Sequence, residues 1–263
     1  MVCPAINIAG AGVGSTTLQA LDSSGSALFT NGLGANVEIS NLTVTSGLTP
    51  AYGYRLFWAN QASQMFLAGT INFVIGTGDI GIQSFGAFVS TQGTFNVSGN
   101  AFEVIDISDN GVNTASALIA GTWTITGTPT WTTGVFNGNA GCFINGFDFA
   151  DITIGGSYSG SAVGKRYSLN GGSRLFAPQQ TRPLSQTFFP GNAPGDVDGS
   201  SNYGGVQGPT PVTFANLPAT PSEGMIFPVT NSNTATWGAT ITTTGAFHVL
   251  AYYDGSNWTV MAA

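Results

Sequence analysis

Charge is what this sequence has least of. Lys, Arg, Asp and Glu make up 6% of the 263 residues, against about a quarter in an ordinary soluble domain. Five Lys and Arg stand against twelve Asp and Glu, for a formal net charge of −7. So few cations cannot neutralise a run of phosphates, so no nucleic-acid partner is expected. The one histidine, His248, lies in an apolar stretch and reads as a packing residue, which removes the base of a nucleophilic triad. The two cysteines, Cys3 and Cys142, are too few for a disulfide framework and lack the spacing of a zinc site. Both read as free buried thiols. No apolar run approaches the roughly 18 residues of a membrane helix, so membrane insertion is not expected. The opening Met-Val-Cys-Pro-Ala-Ile has neither the basic region nor the apolar core of a secretory signal.

Glycine (38 residues), Thr, Ser and Asn fill the space that Lys, Glu and Leu usually occupy. These are poor helix formers and good turn formers. Hydrophobic residues still reach 42%, too many for a disordered chain. The composition therefore predicts an all-β protein with many short strands.

One pattern recurs five times: small, polar, apolar, Asn or Thr, apolar. Its copies are 40–44 (SNLTV), 69–73 (GTINF), 93–97 (GTFNV), 121–125 (GTWTI) and 150–154 (ADITI), their central residues about 24 to 29 positions apart. That period is the mark of a solenoid. Because side chains alternate along a strand, coil stacking would place Leu42, Ile71, Phe95, Trp123 and Ile152 in one interior column. Val44, Phe73, Val97, Ile125 and Ile154 would form the next, with Thr43, Asn72, Asn96, Thr124 and Thr153 as an outward polar ladder. The Gly or Ala that opens four of the copies suits a tight corner. Apolar pairs before each copy (Val37 and Ile39, Phe66 and Leu67, Phe88 and Val89, Leu118 and Ile119, Phe147 and Phe149) supply a further face. A β-sandwich would share the alternation and the turns but gives no reason for the fixed period.

The expected architecture is a right-handed parallel β-helix over 1–173, a Gly/Pro/Asn-rich junction over 174–208, and a small antiparallel β module over 209–263. Four of the five cations, Lys165, Arg166, Arg174 and Arg182, fall near the junction and read as a solvated boundary between domains. In the last module Asp254-Gly255-Ser256-Asn257 offers a hairpin turn into Trp258-Thr259-Val260.

Three stretches carry a resemblance. Residues 6–18 (INIAGAGVGSTTL) resemble an early coil of the pectate-lyase-like β-helix superfamily, which includes bacteriophage tail spikes. Residues 165–172 (KRYSLNGG), 188–195 (FFPGNAPG) and 203–205 (YGG) resemble the end of the β-helix in phage tail-fibre proteins. Leu217-Pro218, Gly224-Met225 and residues 253–260 (YDGSNWTV) look like a short β module that closes phage structural proteins. The resemblance implies a homotrimer on a virion, assembled in the host cytoplasm, held by other virion proteins and contacting host-surface polysaccharide. Tail spikes usually carry an N-terminal docking domain. Its absence here implies attachment through the C-terminal module or another chain, or a segment of a longer protein.

Chemistry is sparse. Asp196 and Asp198 in Gly-Asp-Val-Asp-Gly lack the full calcium-loop pattern and read as a turn, so no metal and no cofactor is expected. Gly10-Ala11-Gly12-Val13-Gly14 lacks the Lys and the helix of a phosphate loop and reads as a corner. Asn41, Asn96 and Asn257 begin glycosylation triplets that chance accounts for in so Asn-, Ser- and Thr-rich a chain. Glycan cleavage needs two carboxylates about 5 to 9.5 Å apart. Asp79 and Glu103 each lie six positions beyond the last residue of a copy, so stacked coils would set them roughly 4.8 Å apart. Asp106 and Asp109 follow, and no Arg or Lys is near in sequence. These carboxylates are the candidate catalytic residues, while turn formation is the plainer reading for Asp79 and Asp109. For binding without cleavage the candidate glycan-contacting rings are Tyr52, Tyr54, Trp58 and Trp131, with Phe57 beside them. Packing would account for each ring equally well.

The expected function is a non-enzymatic tail fibre or spike module that adsorbs to host glycans. A paired-carboxylate depolymerase (hydrolase or lyase), a purely structural spacer and a cellular adhesin are the alternatives.

Overall fold

A computed structural model of the chain describes residues 6–19, 27–32, 34–46, 54–109, 111, 113–132, 141–177, 187–198, 201–203 and 211–263. Cys3, Tyr52 and Arg182 lie outside them. The chain forms two compact units, Met1–Gly205 and Val206–Ala263.

The first unit is a parallel β-helix. Its coils follow from two alternations, polar with apolar along each strand and strand with glycine corner along the chain. The long strand Gln64–Val74 pairs in parallel with Asn36–Thr45 on one side and Phe88–Ser98 on the other. Each of these strands bends at its middle and so serves two faces of the solenoid. The bend sits at Asn41 (φ 57°) in one coil and at Gly69 (φ 61°) in the next. At Gly93 a Cβ would lie 2.1 Å from the Gly69 carbonyl oxygen, so coils can approach there only without a side chain. A third face is a seven-stranded parallel sheet containing Arg55–Asn60, Ile80–Phe85, Glu103–Ser108, Cys142–Phe147 and Lys165–Leu169. Crossovers of this kind wind right-handed.

The interior columns form as expected through four coils. Leu42, Ile71, Phe95 and Trp123 align rung by rung, as do Val44, Phe73, Val97 and Ile125. All eight are buried. Phe95 and Trp123 stack at 4.5 Å, and Phe73 meets Phe57 edge-on at 5.6 Å across the core. Burying each such side chain contributes about 1.5–3 kcal/mol. The outward ladder is hydrogen-bonded: Asn96 Nδ2 donates to Asn72 Oδ1 at 2.8 Å, and Asn72 Nδ2 to Thr43 Oγ1 at 3.4 Å.

The fifth rung departs from the expectation. Trp123 is followed in its column by Tyr158, not Ile152. The strand Asp151–Ile154 pairs instead with Ser116–Ile119 on the neighbouring face. Both faces next to a corner carry the same alternation, so the five-residue pattern alone does not tell them apart. The apolar pairs before the copies also divide. Ile39, Leu67, Val89 and Ile119 are buried, whereas Phe66, Leu118, Phe147 and Phe149 are exposed, Phe149 at 70%.

Coil pairing continues past residue 173 into the stretch expected to be a junction. Arg174–Phe176 pairs with Asp151–Ile154 and with Asn202–Tyr203, and Ser168 pairs with Asp196. The cations there connect adjacent coils rather than mark a boundary. Lys165 is ion-paired with Asp196, Arg174 with Asp151 at 2.6 Å, and Arg166 donates to the Ala193 carbonyl at 2.9 Å. Exposed pairs of this kind contribute at most about 1 kcal/mol each.

The second unit is a three-stranded antiparallel sheet, Ile226–Ser232, Phe247–Tyr253 and Trp258–Ala262. Its core is Val229, Ile241, Val249, Ala251, Trp258 and Val260. The hairpin turn forms where expected: Asp254 Oδ1 accepts the Ser256 and Asn257 N–H groups at 2.9 and 2.7 Å, with Gly255 at φ 95°. His248 is exposed on this sheet, not packed. It alternates with the buried Val249 and so faces away from the core.

Candidate functional site

The third face of the solenoid carries a cluster of interacting ionisable groups to which sequence reasoning pointed. Five strands align there so that Trp58, Gln83, Asp106, Asn145 and Ser168 occupy one rung position. One position nearer the strand start, Phe57, Ile82, Ile105, Ile144 and Tyr167 form a neighbouring row that belongs to the core. The polar row therefore points to the opposite side of the sheet. A second aligned row runs Arg55, Ile80, Glu103, Cys142 and Lys165.

The two rows converge on a buried network. Gln83 Nε2 donates to Asp106 Oδ2 at 2.5 Å, Ser108 Oγ to Asp106 Oδ1 at 2.6 Å and Asn145 Nδ2 to the same oxygen at 3.0 Å. Arg55 Nε donates to Gln83 Oε1, and its guanidinium lies 5.0 Å from the centre of the Trp58 ring. Glu103 and Asp106 are only 5% and 4% exposed. Burial pushes the Glu103 carboxyl well above the ordinary range, Asp106 pushes it further, and Arg55 opposes. Burial also raises Asp106, but bonds from Ser108, Gln83 and Asn145 and the charge of Arg55 pull back toward the ionised form. The Cys142 thiol, free and buried, is pushed up by burial and by both carboxylates. The arrangement sets two buried carboxyls side by side, Glu103 pushed up by burial and Asp106 drawn back toward its charged form by its donors, with the Arg55 guanidinium acting on both. Carboxyls whose environments push them apart in this way are what acid–base catalysis uses. The cluster is equally a closed, satisfied network that fixes strand register.

Asp79 does not join it. Glu103 stands across from Ile80, and Asp79 is one position out of step, its carbonyl accepting the Phe102 N–H. The Asp79 carboxylate turns toward the preceding coil, where it accepts the Tyr54 N–H at 2.9 Å beside the Ser46 hydroxyl. Fully enclosed there, it is pushed up to about 6, chiefly by burial. Asp109 makes a turn, accepting the Gly111 N–H at 2.8 Å.

Of the candidate sugar-contacting rings, Tyr52 lies outside the described residues and none of the other three is fully exposed. Tyr54 and Trp131 are buried, Trp131 against Phe143 at 6.3 Å, and Trp58 is half-buried under Arg55. Asp196 and Asp198 are engaged between coils, Asp198 accepting the Gly171 N–H at 2.7 Å. Among the described residues no helix is long and apolar enough to cross a membrane.

Sequence reasoning missed Arg55, Gln83 and Asn145. The signal was present as a second repeat, 55–58 (RLFW), 80–83 (IGIQ), 103–106 (EVID), 142–145 (CFIN) and 165–168 (KRYS). Aligning those stretches sets Arg55 in the Glu103 column and Gln83 and Asn145 beside Asp106.

No protein-family model matches the chain, and neither a curated protein nor a solved structure matches it. The resemblance to phage spikes and fibres thus rests on the quoted stretches together with the parallel solenoid.

Proposed function

We propose that the chain is a structural module of a virion fibre or spike, a homotrimer held by other virion proteins, that contacts host-surface glycans without cleaving them. The observation that carries this reading is the solenoid exterior. Its outward row Thr43–Asn72–Asn96 is uncharged and hydrogen-bonded from coil to coil, a stiff surface rich in amides and hydroxyls. Burial of Glu103 and Asp106, with Asp106 already holding three side-chain donors, supports binding over hydrolysis.

Cleavage is the second reading, favoured by two buried carboxyls, Glu103 and Asp106, with Arg55 acting on both. Light scattering on the purified chain, followed by a reducing-end assay on bacterial polysaccharides, tests both. Three chains and no new reducing ends are expected. A single chain removes the trimer. New reducing ends that vanish in Glu103→Gln establish a depolymerase at this cluster, and ends that survive it place the chemistry elsewhere.

A further inference from the structure

Where the third face turns into the first, three successive coils leave a groove of about 380 Å³. Its walls include Ser63, Gln64, Phe88, Asn113, Thr114 and Ser116, and among the described residues no ionisable side chain lines it. Gln64, Phe88 and Ser116 share one rung position on adjacent strands, so the groove runs along the solenoid axis for roughly 10 Å, two strand spacings. Phe88 is the ring in its lining, and further rings lie on nearby strands. Phe66 meets Phe88 edge-on at 6.1 Å, and Phe66, Phe85 and Phe147 are all exposed. Phe85 and Phe147 both align with Ser108, which puts them on the same corner. Exposed rings grouped in this way, on a chain that buries so many others, mark a contact surface.

We infer that this corner groove binds a neutral glycan. The inference rests on the glycan-binding reading above and adds the place and the class of ligand. The amides of Gln64 and Asn113 and the hydroxyls of Thr114 and Ser116 can donate to and accept from sugar hydroxyls. The Phe88 ring offers a flat apolar face to the C–H face of a pyranose ring. Charge selects among glycans. The lining offers no cation to an acidic polymer. Asp109, whose N–H bonds to the Phe147 carbonyl, and Asp148, next to Phe147 in the chain, are carboxylates at the same corner. With a net charge of −7, the whole chain also repels polyanions.

The test uses the full chain on a printed array of neutral and acidic bacterial polysaccharides, followed by affinity electrophoresis in gels holding yeast mannan, dextran or polygalacturonate. Gln64→Ala and Thr114→Ala, both at exposed positions, accompany Phe88→Ala. Trp237→Ala in the second unit is the control. Retention by a neutral polysaccharide is expected. Each polar variant should weaken it about fivefold, the loss of one net hydrogen bond, while the control leaves it unchanged. Neutral binding that ignores Gln64→Ala and Thr114→Ala overturns the groove and leaves glycan binding standing. Retention by polygalacturonate alone overturns the neutral class. A chain that binds nothing on the array overturns this inference together with the reading beneath it.

Discussion

Gln83 Nε2 donates to Asp106 Oδ2 across neighbouring coils at 2.5 Å. The bond exists because parallel coils in register bring residues 23 positions apart to the same rung. The rung then extends in both directions, to Arg55 through the other end of the Gln83 amide and to Asn145 through Asp106. An amide is suited to the middle of such a chain because it accepts from a cation at one end and donates to an anion at the other. The network joins four coils with a single carboxylate at its centre.

Removing that centre should be costly. Asp106→Ala strands the donors of Gln83, Ser108 and Asn145 and deprives half-buried Arg55 of a counter-charge, so a loss of about 3–5 kcal/mol is expected. Glu103→Gln should cost no more than about 1 kcal/mol, because burial and the neighbouring Asp106 already favour the neutral form of the side chain it replaces. Urea unfolding of the two variants decides the matter. Equal losses would show that Glu103 is ionised in the folded chain.

Asp79 gives the fold a pH dependence whose sign is set by burial. Its carboxyl is raised from 3.8 to about 6 in the folded chain, so the folded state holds the proton more tightly than the unfolded state. The contribution is fully present below about 3.8 and is lost as pH rises through about 6. At roughly 1.4 kcal/mol per pK unit the loss amounts to at most about 3 kcal/mol. Unfolding midpoints measured from pH 4 to 7 should fall for the native chain and fall less for Asp79→Asn. The raised carboxyl of Glu103 leaves a residual slope of the same sign. A variant slope equal to the native one would assign the titration elsewhere.

The interior columns were legible in the sequence because a period-two alternation interrupted by glycine at a fixed interval has few other meanings. Leu42, Ile71, Phe95 and Trp123 fell into place on that basis. Ile152 did not, because its strand stacks on Ser116–Ile119, on the face before the corner, and Tyr158 beyond that corner took the next rung. The carboxylate cluster was half legible. Glu103 and Asp106 were found by counting from the first repeat, but counting carries an error of one residue, and one residue on a strand reverses the face. That error left Asp79 without its expected partner. Arg55 is 48 positions from Glu103 in the chain (103 − 55), and no local pattern joins them. Only the second repeat, with its own register, sets them in one column.

Corner chemistry offers the most direct test of the coil geometry. Asn41 occupies the bend that Gly69 occupies one coil later, at nearly the same left-handed φ, 57° against 61°. Asparagine tolerates that region better than other residues with a side chain. Here it adds a bond as well, Oδ1 accepting the Thr70 N–H of the next coil at 3.1 Å. Asn41→Gly keeps the backbone at ease and loses only the bond, a cost of about 0.5–1 kcal/mol. Asn41→Ala loses the bond and also strains the backbone, about 1.5–3 kcal/mol in all. Gly69→Ala should be worse than either, since its Cβ would sit 2.3 Å from Asn41 Oδ1 at positive φ. Thermal unfolding should therefore rank the three variants, most stable first, as Asn41→Gly, Asn41→Ala and Gly69→Ala. An Asn41→Ala chain as stable as Asn41→Gly would mean that the left-handed bend is not what turns this coil.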